Sequence, residues 1–338
     1  MSLDLAIIGC GAITELAHLP FAARQAGVRV GALVDTDLAR AGKLAKQYGV
    51  PRIARDVMEL STLPHAAIVA LPHDLHASVS LALLRRGVHV LVEKPMALSV
   101  HECSEMIGAA RQSGAMLAVG LVRRFLPEIR QAKAIIDSGD LGTIRSFEAK
   151  EGRIYDWKPS SDFFLKRERA GGGVLIEAGV HVLDTLLFLL GELSIERYAD
   201  DSYGGVEAEA ELRLAFGNGG TGFVELSRTR DLPNTTLIHG TRASLEIDLW
   251  RRRLTLRGDG SNEDLSIDKG AFGYDVFDAQ LADWMHAIRS GQQPSVDGEQ
   301  GRKSIALIES CYASRTLLEL PWVAPKRPEP ALAGGTCR

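Results

Sequence analysis

Hydrophobic and polar positions follow two different rhythms along this chain, and the change falls near residue 121. Before it, short apolar runs alternate with stretches of helical spacing. Leu5-Ala6-Ile7-Ile8, Val28 to Val34, Ala66 to Leu71, Val88 to Val92 and Met116 to Gly120 read as buried strands. A helix opening at Glu15, then Leu38 to Tyr48, Ala77 to Arg86 and Ala97 to Ser113 fill the gaps, with Gly49 and Gly87 as stops. Such alternation implies right-handed βαβ units and a doubly wound parallel sheet.

Beyond residue 121 a period of two takes over. Val206, Ala208, Ala210, Leu212, Leu214 and Phe216 alternate with Glu207, Glu209, Glu211 and Arg213, the clearest strand pattern in the chain. Gly217 to Gly220 turns that run into Thr221 to Arg228, which predicts a hairpin. Ile144 to Arg153, Thr236 to His239, Ser244 to Leu249 and Arg253 to Arg257 add further strands. One helix follows Arg123-Arg124-Phe125-Leu126-Pro127, and two amphipathic helices are predicted over Phe277 to Ser290 and Gly301 to Leu320. An open sheet face carrying alternating apolar side chains needs cover, so a homodimer or homotetramer formed through that face is expected.

Composition narrows the class. At 338 residues the chain exceeds one typical core, in line with two domains. A net charge of −4 gives no basic footprint for nucleic acid. The sequence has no run of 18 apolar residues, so no membrane span is expected. Met1-Ser2-Leu3-Asp4 leads at once into a strand, without the basic segment of a secretory signal. Cys10, Cys103, Cys311 and Cys337 lack CxxC spacing, which fits free thiols in a reducing cytoplasm.

The first strand runs into Gly9-Cys10-Gly11-Ala12-Ile13-Thr14, the strand–glycine turn–helix context of a dinucleotide fingerprint. Gly9 permits the tight turn, and Gly11 lets the backbone approach a pyrophosphate, with Ala12 and Ile13 opening the helix. Thr14 stands where a third glycine or an alanine is usual. Asp35, 21 residues beyond Thr14, closes the second strand where a carboxylate accepts from a ribose 2′-OH. Asp37 nearby opposes a 2′-phosphate and no arginine directly follows Asp35, so NAD is favoured over NADP. Asp35 as a plain helix N-cap is the competing interpretation.

Val88-His89-Val90-Leu91-Val92-Glu93-Lys94-Pro95 carries a buried strand straight into an acid, a base and a proline. Ligands of open parallel sheets bind outside the strands' carboxyl ends, which puts Glu93 and Lys94 at a ligand. A desolvated lysine there can exchange a proton near neutrality. From these eight residues alone, a surface lysine after an ordinary turn is the favoured reading.

Read as a helix, the segment from Gly171-Gly172-Gly173 to Leu190 sets Glu177, His181 and Asp184 on one face of an apolar element. Burying three ionisable groups is costly unless they are paired or functional. A satisfied polar stripe at a domain interface is the alternative. Carboxylate and imidazole spacing also admits a metal, but no second ligand cluster appears, and none is predicted.

Three segments in order carry a family resemblance: Gly9-Cys10-Gly11-Ala12-Ile13 with His18, Ala70-Leu71-Pro72-His73-Asp74-Leu75-His76, and Val90-Leu91-Val92-Glu93-Lys94-Pro95. Together they resemble the glucose–fructose oxidoreductase / inositol dehydrogenase / rhizopine catabolism protein (Gfo/Idh/MocA) family. The likeness extends over residues 3 to about 322, taking in Gln280 to Trp284, Ala287 to Gly291 and Gly298 to Arg302. It implies an α/β fold: an N-terminal Rossmann domain over 1–121 and an α+β substrate and oligomerisation domain with a large open-faced, mainly antiparallel sheet over 122–323. A Pro-, Ala- and Gly-rich tail over 324–338 is predicted to be disordered.

The resemblance further implies that Lys94 touches both substrate and nicotinamide, that the Lys94–Pro95 bond is often cis, and that His181 is the acid/base. Leu71, Pro72, His73, His76 and Glu93 then join the cofactor site. Glu177 stands where the family usually has aspartate, which leaves its substrate contact open. Arg124, Tyr155, Trp157 and Lys166 are candidate cavity residues, although Trp157 could simply pack. The implied activity is NAD-dependent hydride transfer at a secondary alcohol of a sugar, polyol or derivative. Two alternatives stay open: a redox-cycling enzyme with tightly held NAD that eliminates, hydrolyses or epimerises, and a non-catalytic dinucleotide-binding regulator.

Overall fold

Six parallel strands build the first sheet, in the order β3-β2-β1-β4-β5-β6. They are β1 (Leu3–Ile8), β2 (Val28–Val34), β3 (Arg52–Ala54), β4 (Ala66–Val69), β5 (His89–Val92) and β6 (Leu117–Val119). Helix α1 (a π turn over Thr14–His18 continuing as Leu19–Arg24), α2 (Leu38–Tyr48), α3 (His76–Leu84) and α4 (Val100–Ser113) connect them. This computed structural model describes residues 2–60, 62–156, 161–202, 205–217, 219–258, 261–265 and 275–318. Strand order reverses between β1 and β4, the switch point where doubly wound sheets bind ligands.

Local chemistry explains where the elements depart from their predicted bounds. The first helix begins at Ala12 rather than Glu15. Thr14 makes that possible, because its hydroxyl donates to the Gly9 carbonyl at 2.6 Å and fastens the turn from inside. Helix α4 starts at Val100 rather than Ala97 because Ser99 and Glu102 form a reciprocal capping box. Strand β3 has only three residues, too few to show a period.

The second sheet has nine strands in the order β14-β13-β12-β11-β7-β10-β9-β8-β15. Helix α5 (Pro127–Asp137) precedes β7 (Ile144–Gly152), and α6 (Arg167–Ala170) and α7 (a π turn over Leu175–Gly179 continuing as Val180–Leu190) precede β8 (Leu193–Asp200). Then come β9 (Glu209–Phe216), β10 (Gly220–Ser227), β11 (Thr235–Gly240), β12 (Ala243–Asp248), β13 (Arg253–Gly258) and β14 (Ser261–Leu265). Helices α8 (Asp275–Ser290) and α9 (Gly298–Ala313) lead to β15 (Arg315–Leu317). The predicted last helix therefore stops at Ala313, and three of its residues become an edge strand. Most neighbours are antiparallel, but β7 pairs with β10, and β8 with β15, in parallel.

The alternation read from Val206 onwards holds only from Ala210. Glu207 and Glu209 are each 1% exposed, against the expectation that they face solvent. Glu207 precedes the strand, and its Oε1 accepts from Leu175 N at 3.0 Å and from the Tyr312 hydroxyl at 2.8 Å. Glu209 is covered by the turn after β10, accepting from Ser227 Oγ at 2.6 Å, from the Thr229 hydroxyl and from Arg230. Glu209 survives burial because both its oxygens accept hydrogen bonds, whereas Glu207 keeps a buried Oε2 without a partner among the described residues.

The sheet's apolar face is not left open. Leu212, Leu214, Val224, Leu226, Ile238 and Leu245 are buried in one core with Leu183 and Leu186 of α7 and Ile305 and Ile308 of α9. On the other face Lys150 pairs with Glu148 at 2.7 Å and Glu225 at 3.9 Å, and Arg257 pairs with Glu246. Phe223 and Leu237 are half-buried among those charges. The chain's own helices thus cover one face of the sheet, and the face carrying Phe223, Leu237 and the charged pairs is the one left to solvent or a partner.

The chain also returns across residue 121. Leu281, Trp284 and Met285 of α8 pack with Leu5, Ile7, Leu19 and Leu33 in the core of the first sheet. Arg167–Leu190 is long and apolar enough to cross a membrane, yet 72% of its most apolar window is buried inside the protein. The predicted tail over 324–338 lies outside the described residues.

Candidate active site

The ends of β1, β2, β4 and β5 converge on one edge. Gly9 adopts φ +95°, and a Cβ there would sit 2.0 Å from the Ala70 carbonyl oxygen, so no other residue fits between β1 and β4. At Gly11 no atom lies within 4 Å of a Cβ position, which leaves open space beside the first turn of α1. Amide groups of that first turn, at Ala12 and Ile13, have no acceptor one turn earlier in the helix and suit an anion. Asp35 accepts from Cys10 N at 2.7 Å and from Asp37 N at 2.8 Å, which fixes its carboxylate and leaves lone pairs for a ribose diol. These residues fit a dinucleotide.

Leu71 and Pro72 are half-buried at the end of β4. His73 Nδ1 donates to the Ala170 carbonyl at 2.8 Å, which fixes the proton on that nitrogen of the neutral ring. Burial, with His76 beside it, pushes His73 down to about 3. His76 lies between the Pro95 and Leu71 carbonyls at 2.7 and 2.8 Å, and burial lowers its pKa too. With one N–H in its neutral form, His76 donates to only one of these carbonyls at a time while packing between the β4 turn and the Glu-Lys-Pro loop.

Glu93 is 8% exposed. Its Oε1 accepts from His18 Nε2 at 2.8 Å and its Oε2 from Lys94 N at 3.0 Å. Burial alone would raise its carboxyl, but the His18 hydrogen bond, with the His18 and Lys94 charges, holds it below the usual range. The π turn in α1 contains His18, the residue that reaches across to this loop.

The Lys94–Pro95 bond is cis. Lys94 Nζ donates to the Glu177 main-chain oxygen at 2.9 Å, which docks the loop against α7. The helix can lie there because Gly173 has no side chain: a Cβ would be 1.9 Å from the Glu207 carbonyl oxygen. Glu177 Oε2 accepts from the Tyr155 hydroxyl at 2.7 Å and from Arg228 Nη2 at 2.9 Å. Burial and the Glu177 charge push the Tyr155 phenol up, so it stays a donor.

One helical turn after Glu177, His181 has a buried Nδ1 without a hydrogen-bond partner among the described residues. Burial, then the Lys94 and Arg123 charges, holds its pKa well below the usual histidine range. The imidazole is thereby kept in its neutral form, which has a nitrogen lone pair able to accept a proton.

The three polar groups expected on one helix face thus have separate fates. Glu177 and His181 stand beside Lys94, whereas Asp184, 1% exposed, takes both the Nε and Nη2 of Arg124. Burial pushes the Asp184 carboxyl up against the pull of Arg124. Arg124, expected at the substrate, is 7% exposed and also reaches Gln300 Oε1 at 3.2 Å. Lys166 pairs with Asp162 at 2.6 Å, on a side chain 47% exposed. Trp157 lies outside the described residues.

Sequence reasoning missed Arg123, Glu151 and Arg228. Arg123 binds both oxygens of Glu151, at 2.6 and 2.7 Å. Glu151 continues the inward file Phe147, Ala149 of β7, and Arg228 continues the file Val224, Leu226 of β10. A charge in phase with an apolar file, at the end of a strand, was the available signal. Among the described residues no group of three or more His, Cys, Asp or Glu side chains is placed to hold a metal.

Residues 3–121 match the family described as oxidoreductase, NAD-binding Rossmann fold, and residues 129–246 match the GFO/IDH/MocA C-terminal domain. The chain belongs to the Gfo/Idh/MocA oxidoreductase family. Residues 3–121 are accordingly an NAD-binding Rossmann domain. A putative UDP-kanosamine synthase oxidoreductase subunit of Amycolatopsis mediterranei is 35% identical over 191 residues, 56% of this chain and 52% of that protein. The match thus spans about half the length of that relative. The 1,5-anhydro-D-fructose reductase of Ensifer adhaerens is 29% identical over 301 residues, 84% of this chain and 88% of its own. Among solved structures, the aldose-aldose oxidoreductase from Caulobacter crescentus complexed with glycerol superposes with a TM-score of 0.82 at 25% identity, covering 93% of this chain and 97% of that one.

Proposed function

We propose that this family member is an NAD-dependent dehydrogenase moving a hydride between a secondary alcohol carbon of a sugar, polyol or sugar derivative and the cofactor. The observation that carries it is the meeting of Lys94 with the helix turn that bears His181, whose buried Nδ1 has no hydrogen-bond partner among the described residues. Bound nicotinamide supplies the hydride acceptor; the remaining work falls to side chains. His181 takes the hydroxyl proton as the carbon is oxidised. Lys94 orients that oxygen and stabilises the negative charge developing on it. Asp35, at the ribose position, favours NAD over NADP. Arg124 supports the site through Asp184.

The relatives' names support a carbohydrate-like substrate. Sequence division at 121 and 323, a cytoplasmic setting and a homodimer or homotetramer belong to the same proposal. The test is net reduction of NAD by purified protein across a panel of sugars, inositols and their acids, with NADP in parallel. Turnover that disappears in Lys94→Met and His181→Ala is the expected result. Wild-type turnover in both variants, or cofactor binding without turnover anywhere in the panel, overturns the reading.

A further inference from the structure

Strands β7 and β10 lie parallel, with Leu226 opposite Glu151, so both end at the same edge of the sheet. Arg123, from the segment after β6, and Arg228, directly after β10, reach that edge, while Arg124, next to Arg123 in sequence, turns to α7. Each is bound to a carboxylate. Arg123 fills both oxygens of Glu151, Arg228 binds Glu177 at 2.9 Å, and Arg124 binds Asp184 at 2.6 Å. These are not loose surface pairs: side-chain exposures are 20% and 22%, 13% and 16%, and 7% and 1% respectively. Lys94, by contrast, has its ammonium on a main-chain carbonyl.

We propose that the site selects an uncharged polyhydroxylated ring over its anionic counterparts, and that Glu151 and Glu177 set this selection by occupying Arg123 and Arg228. The inference rests on the dehydrogenase reading and names its substrate class.

A guanidinium grips a carboxylate or phosphate through two parallel N–H groups, and on Arg123 that fork is already filled. A substrate anion could take it only by leaving the Glu151 carboxylate poorly exposed and unpaired, which is costly. Before any displacement it would also meet the negative charge of Glu151 and Glu177 at close range. A hydroxyl meets no such opposition, because it donates and accepts at once. An arginine–carboxylate couple offers N–H donors and carboxylate lone pairs side by side, which matches neighbouring hydroxyls on a ring.

The test loads the protein with NADH and follows cofactor fluorescence and thermal shift during titration. Glucose and myo-inositol are the neutral probes; gluconate, glucuronate and glucose 6-phosphate are the anionic ones. The expected result is neutral binding at least ~100-fold tighter than anionic binding. Glu151→Gln releases Arg123, and Glu177→Gln releases Arg228. Either variant is expected to tighten anion binding by about tenfold or more while NADH affinity holds. If one variant fails to fold, the other still decides. Preference for the anions in the wild type, no gain for them in a folded variant, or binding of neither class to the NADH-loaded protein overturns the inference. Failure to bind NADH at all overturns instead the dehydrogenase reading beneath it.

Discussion

Lys94 Nζ is 2.9 Å from the main-chain oxygen of Glu177, one helical turn before His181. A loop at the rim of one sheet and a helix resting on the other are thereby held at hydrogen-bond distance. Because the acceptor is backbone, substitution at Glu177 leaves the contact in place. The glutamate that departs from the family's usual aspartate therefore does not govern where Lys94 lies.

That contact underlies the first prediction. Lys94→Met and His181→Ala are each expected to lower turnover by a hundred- to ten-thousandfold, with NADH affinity much less affected. The double variant should lose little beyond the worse single one, since groups acting on the same proton and charge are not additive. Steady-state kinetics with a responsive sugar, beside NADH titration, checks this. A double variant whose losses multiply in full points to independent roles.

His181 also gives a pH prediction. Its folded pKa lies below the ordinary value, so the neutral base persists on acidification past 6.5. The acid limb of kcat/KM is therefore expected below pH 6.5. Removing a positive neighbour relieves the depression, so Arg123→Gln should move that limb upward. An NMR titration of His181 reads the same shift without turnover.

Stability should follow the same direction at His73. Its folded pKa of about 3 lies below the unfolded value of 6.5, so the unfolded chain binds the extra proton first. The contribution is intact above about pH 6.5 and is lost as pH falls towards the folded pKa, by an amount on the order of a few kcal/mol. Denaturant melts across that window check it. His73→Leu should flatten the slope, and an unchanged slope would count against this histidine as its source.

Glu93 and His18 form a pair that loses more by being broken than by being absent. His18→Leu leaves a buried carboxylate facing apolar surroundings, a change that typically costs about 3–5 kcal/mol. His18→Gln retains a donor and should cost less. If Glu93 also positions the Lys94 backbone, the leucine variant loses kcat as well as stability, which combined calorimetry and kinetics will show.

The parallel sheet, the glycine turn and the Glu-Lys-Pro loop were legible because each writes a local signature: an apolar run, a φ only glycine tolerates, a charge directly after a strand. Asp35 stands out in the sequence by its spacing from the glycine turn. Long-range pairings leave no such mark. Nothing near Asp184 announces Arg124, and nothing near Glu151 announces Arg123, since both pairs are made by the crossing between sheets. Glu207 and Glu209 looked solvent-facing because alternation assumes a bare strand, and here a tyrosine hydroxyl and a folded-over turn cover them. The apolar face was legible too, but not what covers it, because helices α7 and α9 reach it from either side of the strands in sequence.

Trp284 tests the return of α8 to the first sheet. It is fully buried among residues of β1, β2 and α1, and its indole Nε1 has no hydrogen-bond partner among the described residues. Trp284→Ala deletes a large core side chain and is expected to cost about 3–5 kcal/mol. Trp284→Phe keeps much of the apolar volume and removes a buried N–H that gains nothing, so its cost should be clearly smaller. If the two halves of the sequence folded independently, either change would spare one of two transitions in a melt. A single transition that moves as a whole is expected instead, because the helix from the second half completes the core of the first.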